Sequence, residues 1–156
     1  VVLHTISLFS NFDIVILLQP TSPLRRSVDV DMSIKKMIKS KSKSCVSIIE
    51  SKINPIFLYK INSKGKLLVN NHNNSYDTNK NLKNNFYRIS GDIYISFLDQ
   101  LKEKKTFFTR NTSTYLMPEI YSSDIDNVND FSIAELIKKN LPRLYKMTRI
   151  DKSDKK

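Results

Sequence analysis

The longest unbroken aliphatic run is Ile14 to Leu18, set within Asp13 to Gln19. Continuous β-branched and aliphatic residues over that length predict a strand covered on both faces of a parallel sheet. Ahead of it, Val1 to Ser10 carries apolar residues at Val1, Val2, Leu3, Ile6, Leu8 and Phe9, the pattern of a helix end. After it, Pro20 and Pro23 break the strand. Ser27 then stands as N-cap of a helix with Asp29 and Asp31 in its first turn, Val30, Ile34, Met37 and Ile38 on its buried face, and lysines 35, 36, 39, 41 and 43 on the solvated side.

Further along, Ser44 to Glu50 reads as a strand, and Pro55 to Ile61 with Leu67 to Asn70 reads as a hairpin around Ser63 to Lys66. Asn71 to Asn85 is a long polar loop, Ile89 to Ser96 a strand, Phe97 to Lys104 a short helix and Thr114 to Pro118 an extended piece. A last helix runs from a cap at Asp130 through Asn140. No segment repeats. Strands alternating with helices predict an α/β fold.

Composition narrows the chemistry. In 156 residues there are two glycines, Gly65 and Gly91, so no glycine-rich phosphate loop can form. One cysteine, Cys45, excludes a disulfide framework and reads as a buried thiol, and His4 and His72 are too few and too far apart for a histidine metal cluster. Neither the 40% apolar composition nor any run predicts a membrane span, and no basic residue leads the N-terminal apolar stretch as in a secretory signal. The expected compartment is the cytoplasm. A net charge of +11 invites a nucleic-acid reading, but Lys138 to Lys156 holds eight Lys or Arg against two Asp and so carries more than half of it. That stretch reads as a solvated tail, and base-reading arginines are few.

Two stretches could carry chemistry. Gln19, Thr21, Ser22 and Arg25 place an amide, two hydroxyls and a guanidinium on the loop leaving the first strand, where open α/β sheets bind ligands. A stiff proline turn explains the same letters. Asp124 and Asp126, two apart in an extended segment, point the same way and could share one hard cation; helix-entry capping is the alternative. Asp130 reads as a cap.

Together these stretches resemble the acylneuraminate cytidylyltransferases, the family that makes CMP-activated sialic and related nonulosonic acids. The resemblance runs from about Asp13 to Ile137 and rests on three motifs. They are Leu18–Gln19–Pro20–Thr21–Ser22–Pro23–Leu24–Arg25, then Gly91–Asp92–Ile93–Tyr94–Ile95, which is similar to the family's Asn-Gly-Ala-Ile-Tyr-Ile, and Ser123–Asp124–Ile125–Asp126 followed by Asp130.

The resemblance implies part of a doubly wound, mainly parallel Rossmann-like sheet over 1–137 with an inserted dimerisation lobe at about 52–90; residues 138–156 read as the end of the last helix and a basic tail. It implies attack of a nonulosonic acid's anomeric hydroxyl on the α-phosphate of CTP. Asp124 and Asp126 would hold Mg²⁺ and act catalytically. Gln19, Thr21, Ser22, Arg25, Lys80, Ser90, Gly91, Tyr94, Phe107 and Phe108 would bind substrate, although Tyr94, Phe107 and Phe108 also read as ordinary core. The expected assembly is a homodimer, with Lys80 reaching the partner's sugar site.

Departures accompany the likeness. The family's glycine-rich basic nucleotide-binding segment is absent, Val1 rather than Met opens the chain, and the expectation is that an N-terminal portion is missing and these residues are inactive alone. Ser90 stands where Asn is usual, Asp92 replaces a small residue, Lys80–Asn81 replaces an Arg-Gln pair, and Phe57 stands where some relatives have Lys. A non-catalytic assembly module derived from the family, and a basic nucleic-acid-binding protein, are the competing readings.

Overall fold

The structure, a computed structural model, describes residues 1–9, 11–68 and 86–153. It divides into two units, Val1–Ile49 with Ile89–Lys156, and Glu50–Arg88. In the first, α1 (Val2–Ser7), β1 (Ile14–Leu17), α2 (Ser27–Lys39) and β2 (Ser44–Glu50) lead toward the second unit. The chain returns through β5 (Tyr87–Phe97), α3 (Leu98–Lys104), β6 (Thr112–Leu116) and α4 (Val128–Ser153). The second unit holds a 3₁₀ turn at Pro55–Phe57 and the short pair β3 (Lys60–Ile61) and β4 (Leu67–Leu68). Gly65 turns that hairpin at φ +73°. The first expected strand shrinks to Lys60–Ile61, because Pro55 starts a 3₁₀ turn instead, and the end of the second, at 69–70, lies outside the described residues. The expected loop at 71–85 and Lys80 lie outside the described residues.

The sheet order is β1-β5-β2-β6. β5 pairs antiparallel with β1, Ile14 opposite Phe97 and Leu17 opposite Tyr94. It also runs against β2, since Phe97 N–H donates to Lys43 O (3.1 Å) and Ile93 N–H to Ser47 Oγ (2.8 Å). β2 and β6 are parallel. The expectation of a mainly parallel sheet is therefore corrected: β1, β2 and β6 share a direction, but β5 enters between β1 and β2 from the opposite end. A residue pattern reports burial of a strand and not its direction, which is why it misled.

Alternation along the strands builds a core on each face of this sheet. Cys45, Ile49, Ile93 and Ile95 pack with Met37, Met117 and Tyr121, with Val30 and Ile34 of α2 and Leu141 of α4 against them. Val46 packs on the other face with Ile6, Leu101 and Phe107. Helices thus cover both faces, as expected for an α/β fold. β1 is less covered than its letters suggest, since Ile16 and Leu18 are exposed at a strand bonded on one side only among the described residues. Leu141 anchors α4 past Asn140, where the sequence predicts its end, and Pro142 lies within it. No described helix is long and apolar enough to cross a membrane.

The ends of α2 differ from expectation. Arg26, not Ser27, is the N-cap residue, with no side-chain cap. Its guanidinium instead binds the carboxylate of Asp29 through two bonds of 2.7 and 2.8 Å and lies 3.8 Å over the Tyr121 ring. Asp29 is fully buried and accepts a third bond from Tyr115 Oη at 3.0 Å, tying α2 to β6. Ile38, expected inside, is exposed, because the buried face of α2 runs through Asp29, Ser33 and Met37. At the far end Lys41 takes the left-handed conformation (φ +53°). There Ser42 N–H bonds Met37 O and Lys41 N–H bonds Ile38 O, a Schellman closure made without glycine.

Burial alone would raise the Asp29 carboxyl, but hydrogen bonds from Arg26 and Tyr115 and the Arg26 charge hold it below its ordinary 3.8. A depressed carboxylate stabilises the fold above its unfolded value, and that contribution disappears as pH falls through the folded value. Asp29→Ala should therefore cost about 2–4 kcal/mol at neutral pH, because it strands a partly buried guanidinium and a tyrosine hydroxyl. Urea denaturation checks this, and the deficit relative to the parent should shrink below pH 3.8.

Candidate active site

The site forms where β1 ends. Arg25 reaches back from the following loop, its Nη1 donating to the carbonyls of Gln19 (3.2 Å) and Asp92 (2.7 Å). Ile125 N–H donates to Thr21 O at 3.0 Å, and Ser122 Oγ donates to Asp92 Oδ2 at 2.5 Å. The loop after β1, the middle of β5 and the segment after β6 are thus joined to one another, at the carboxyl ends of β1 and β6.

Gly91 lies at their meeting point with φ +83°, a conformation that costs an L side chain about 1–2 kcal/mol. A Cβ on it would stand 3.0 Å from Gln19 Oε1 and 3.7 Å from Asp124 Oδ2. The structure therefore brings three of the sequence-predicted residues, Gln19, Gly91 and Asp124, to one point. An amide oxygen and a carboxylate oxygen thus lie side by side over the bare Cα of Gly91.

Tyr94, three residues after Gly91, packs at 5.6 Å from the Phe107 ring and edge-on to Phe108 at 6.0 Å. Phe107 is buried, but Phe108 is half in solvent. Burial raises the Tyr94 hydroxyl pKa, and the nearby charges of Asp124 and Asp92 raise it further, which places this aromatic corner within electrostatic reach of the carboxylates.

The other candidates divide. Ser22 and Ser90 are buried; Ser90 Oγ donates to Ser47 Oγ at 2.7 Å, while Ser22 Oγ lies near the Asp92 carboxyl without a well-formed hydrogen bond among the described residues. Thr21 offers its carbonyl to Ile125, and Arg25 is engaged on backbone. Asp126 is exposed, its N–H donating to Asp130 Oδ2 at 3.1 Å. Asp130 does cap α4, but from the third helical position. Asn127 Oδ1 accepts from Asn129 and Asp130 N–H while Asp130 Oδ2 accepts from Asn127 N–H, a reciprocal capping box.

Sequence reasoning missed three residues here: Asn127 as N-cap, Ser122 as a link, and Asp92 as a fully buried carboxylate rather than a passive departure. A hydroxyl two residues before Asp124 was the available signal for Ser122. Among the described residues no group of three or more His, Cys, Asp or Glu gathers for a metal. Two carboxylates with hydroxyls and no soft ligand still suit a magnesium ion, which keeps waters and takes one or two protein carboxylates beside substrate phosphates. Asp124 Oδ2 and Gln19 Oε1 both lie near the point a Gly91 Cβ would occupy, while Asp126 bonds through its N–H to the Asp130 carboxylate at the entry to α4.

The CMP-N,N'-diacetyllegionaminic acid synthase of Legionella pneumophila is 33% identical over 125 residues, 80% of this chain and 53% of that protein. The chain is a homologue of the acylneuraminate cytidylyltransferases. The post-translational flagellin modification protein B of Campylobacter coli is 27% identical over 132 residues, 83% of this chain and 55% of that protein. The N-acylneuraminate cytidylyltransferase of Escherichia coli is 30% identical over 149 residues, 90% of this chain and 34% of that protein. The chain spans about half the length of the first two relatives. No family model matches it.

Gly91→Ala tests the meeting point. The substitution should destabilise the fold by about 1–2 kcal/mol through its φ, since the flexible end of Gln19 can move aside. Thermal melting reads that cost. The Gln19 side-chain amide resonances should shift at the same time, and unmoved resonances would place Gln19 elsewhere.

Proposed function

We propose that the protein containing this chain transfers CMP from CTP to the anomeric hydroxyl of a nonulosonic acid, releasing pyrophosphate, and that this chain supplies the sugar side of a Rossmann-like nucleotide-binding fold. The observation that carries this reading is the convergence of the Gln19 amide and the Asp124 carboxylate on Gly91 at the end of β1. Similarity to proteins named for CMP-nonulosonic acid synthesis and acylneuraminate cytidylyl transfer supports it.

In this reading the Gln19 amide orients the sugar by hydrogen bonds, while Tyr94, Phe107 and the half-exposed Phe108 wall its apolar substituents. Ser22, Ser90 and Thr21 shape the floor, and Arg25 keeps that floor attached to β5. Asp124 and Asp126 would hold Mg²⁺, which when bound offsets charge on the departing pyrophosphate. With only Gly65 and Gly91, the chain has no loop to cradle the triphosphate, so that function belongs to residues outside these 156.

Pyrophosphate release from CTP plus a nonulosonic acid, with and without Mg²⁺, tests the reading. The complete gene product should turn over and these residues alone should not. Asp124→Asn and Asp126→Asn should each lower Mg²⁺-dependent turnover by about 10²-fold or more without unfolding the protein, and Asp130→Asn should do less. Activity within a few-fold of the parent in both would leave the pair as part of the helix entry.

The same reading makes the protein a homodimer through the lobe at about 52–90. Phe57, Leu58, Ile61 and Leu67 are exposed in this unit, an amount of apolar surface that calls for a cover. Light scattering should give twice the chain mass, and Phe57→Glu with Ile61→Glu should return the monomer.

A further inference from the structure

We propose that Asp92 is a positioning residue that fixes Gln19 and Asp124 relative to each other, and so sets how sugar and cation are presented. The inference rests on the site reading above, but it concerns a residue that the reading leaves without a role.

Asp92 has no solvent exposure and follows Gly91 directly in β5. Its Oδ2 takes the 2.5 Å bond from Ser122 Oγ, and Ser122 lies two residues before Asp124 in an extended segment. Its carbonyl takes the 2.7 Å bond from Arg25 Nη1, the atom that also holds the Gln19 carbonyl. One residue is therefore bonded through its side chain to the segment carrying Asp124, and through its backbone to the loop carrying Gln19. Gly91 beside it takes a left-handed conformation (φ +83°) within the strand.

Packing alone does not account for an acid here. A small side chain, as the resemblance places at this position, would fill a strand interior without burying charge, and a buried carboxylate is costly unless its bonds repay it. Among the described residues Asp92 Oδ1 and Ser22 Oγ are both buried without a well-formed hydrogen bond, the Ser90 and Ser22 hydroxyls lying only nearby, so the carboxylate is incompletely satisfied. What it does secure is the Ser122 link. Groups behind a metal-binding carboxylate typically act this way, orienting it without touching substrate.

The test uses the complete gene product with Asp92→Ala, Ser122→Ala, the double variant and Asp92→Asn. Asp92→Ala should raise the Mg²⁺ half-saturation and the sugar KM by about tenfold while the CTP KM stays within about twofold, because only the sugar and cation side is disturbed. Ser122→Ala should reproduce most of that loss, and the double variant should be no worse than Asp92→Ala alone, as for two ends of one interaction. Asp92→Asn keeps an acceptor for Ser122 and should restore values to within about threefold of the parent.

Additive losses, or a Mg²⁺ and sugar response to Asp92→Ala within about twofold, would overturn the proposal. A readout independent of turnover separates it from the proposed activity. The Gln19 side-chain amide resonances should move in both Asp92→Ala and Ser122→Ala. An inactive parent would refute the cytidylyl-transfer reading while those resonances still decide the positioning one, and resonances unchanged in both variants would refute it.

Discussion

Arg25 is the side chain on which the geometry of the site depends. Two carbonyls from distant parts of the chain, Gln19 O and Asp92 O, converge on one guanidinium nitrogen. Part-buried carbonyls need donors, and a loop stiffened by Pro20 and Pro23 has two fewer N–H groups to exchange with its neighbours. A planar cation with several donors meets that demand from inside the loop itself. Everything else at the site follows from the attachment: β5 is held beside the loop, Gly91 turns under Gln19, and Ser122 can reach Asp92.

Two fully buried carboxylates show how differently the same chemistry is accommodated in this chain. Asp29 meets a guanidinium through two bonds and a phenol through a third, and these outweigh burial to keep its pKa low. Asp92 meets hydroxyls, and burial wins: its pKa is raised, with the Ser122 bond, the nearby Ser90 and Ser22 hydroxyls and the Arg25 charge only partly compensating. The linkage signs are opposite. Asp29 adds stability above its unfolded pKa, whereas the contribution of protonated Asp92 is lost as pH rises through its elevated value. The first is a device that holds α2 to β6, and the second is a strain placed beside the candidate site.

Most elements were legible because their periodicity reports burial. The run at Ile14 to Leu18, the strand from Ser44 to Glu50 and the spacing of Val30, Ile34 and Met37 each led to an element near the expected place. Strand direction was not legible, since β5 carries the same alternation whichever way it enters the sheet, and so the sheet proved mixed. Helix ends were half legible. Arg26 stands at the N-cap position in place of Ser27, its half-buried guanidinium paired through two bonds with Asp29, and Asn127 was hidden among neighbouring acids. At the site, motif letters pointed to Gln19, Gly91 and Asp124, but no letter shows that Arg25 turns inward to backbone or that Asp92 is buried.

The scarcity of glycine shapes this fold as well as its chemistry. Left-handed positions fall to Asn11, Lys41 and Lys105, and each lysine there carries a conformational cost of about 1–2 kcal/mol that a glycine would avoid. Gly65 and Gly91 hold the same conformation in different surroundings. Gly65 has open space around its missing Cβ, whereas a Cβ on Gly91 would meet Gln19 Oε1 at 3.0 Å and Asp124 Oδ2 at 3.7 Å. In a chain that tolerates lysine in left-handed turns, Gly91 is set apart by the 3.0 Å approach of Gln19 Oε1 to the place of its missing Cβ, a contact that the flexible amide can relieve by moving.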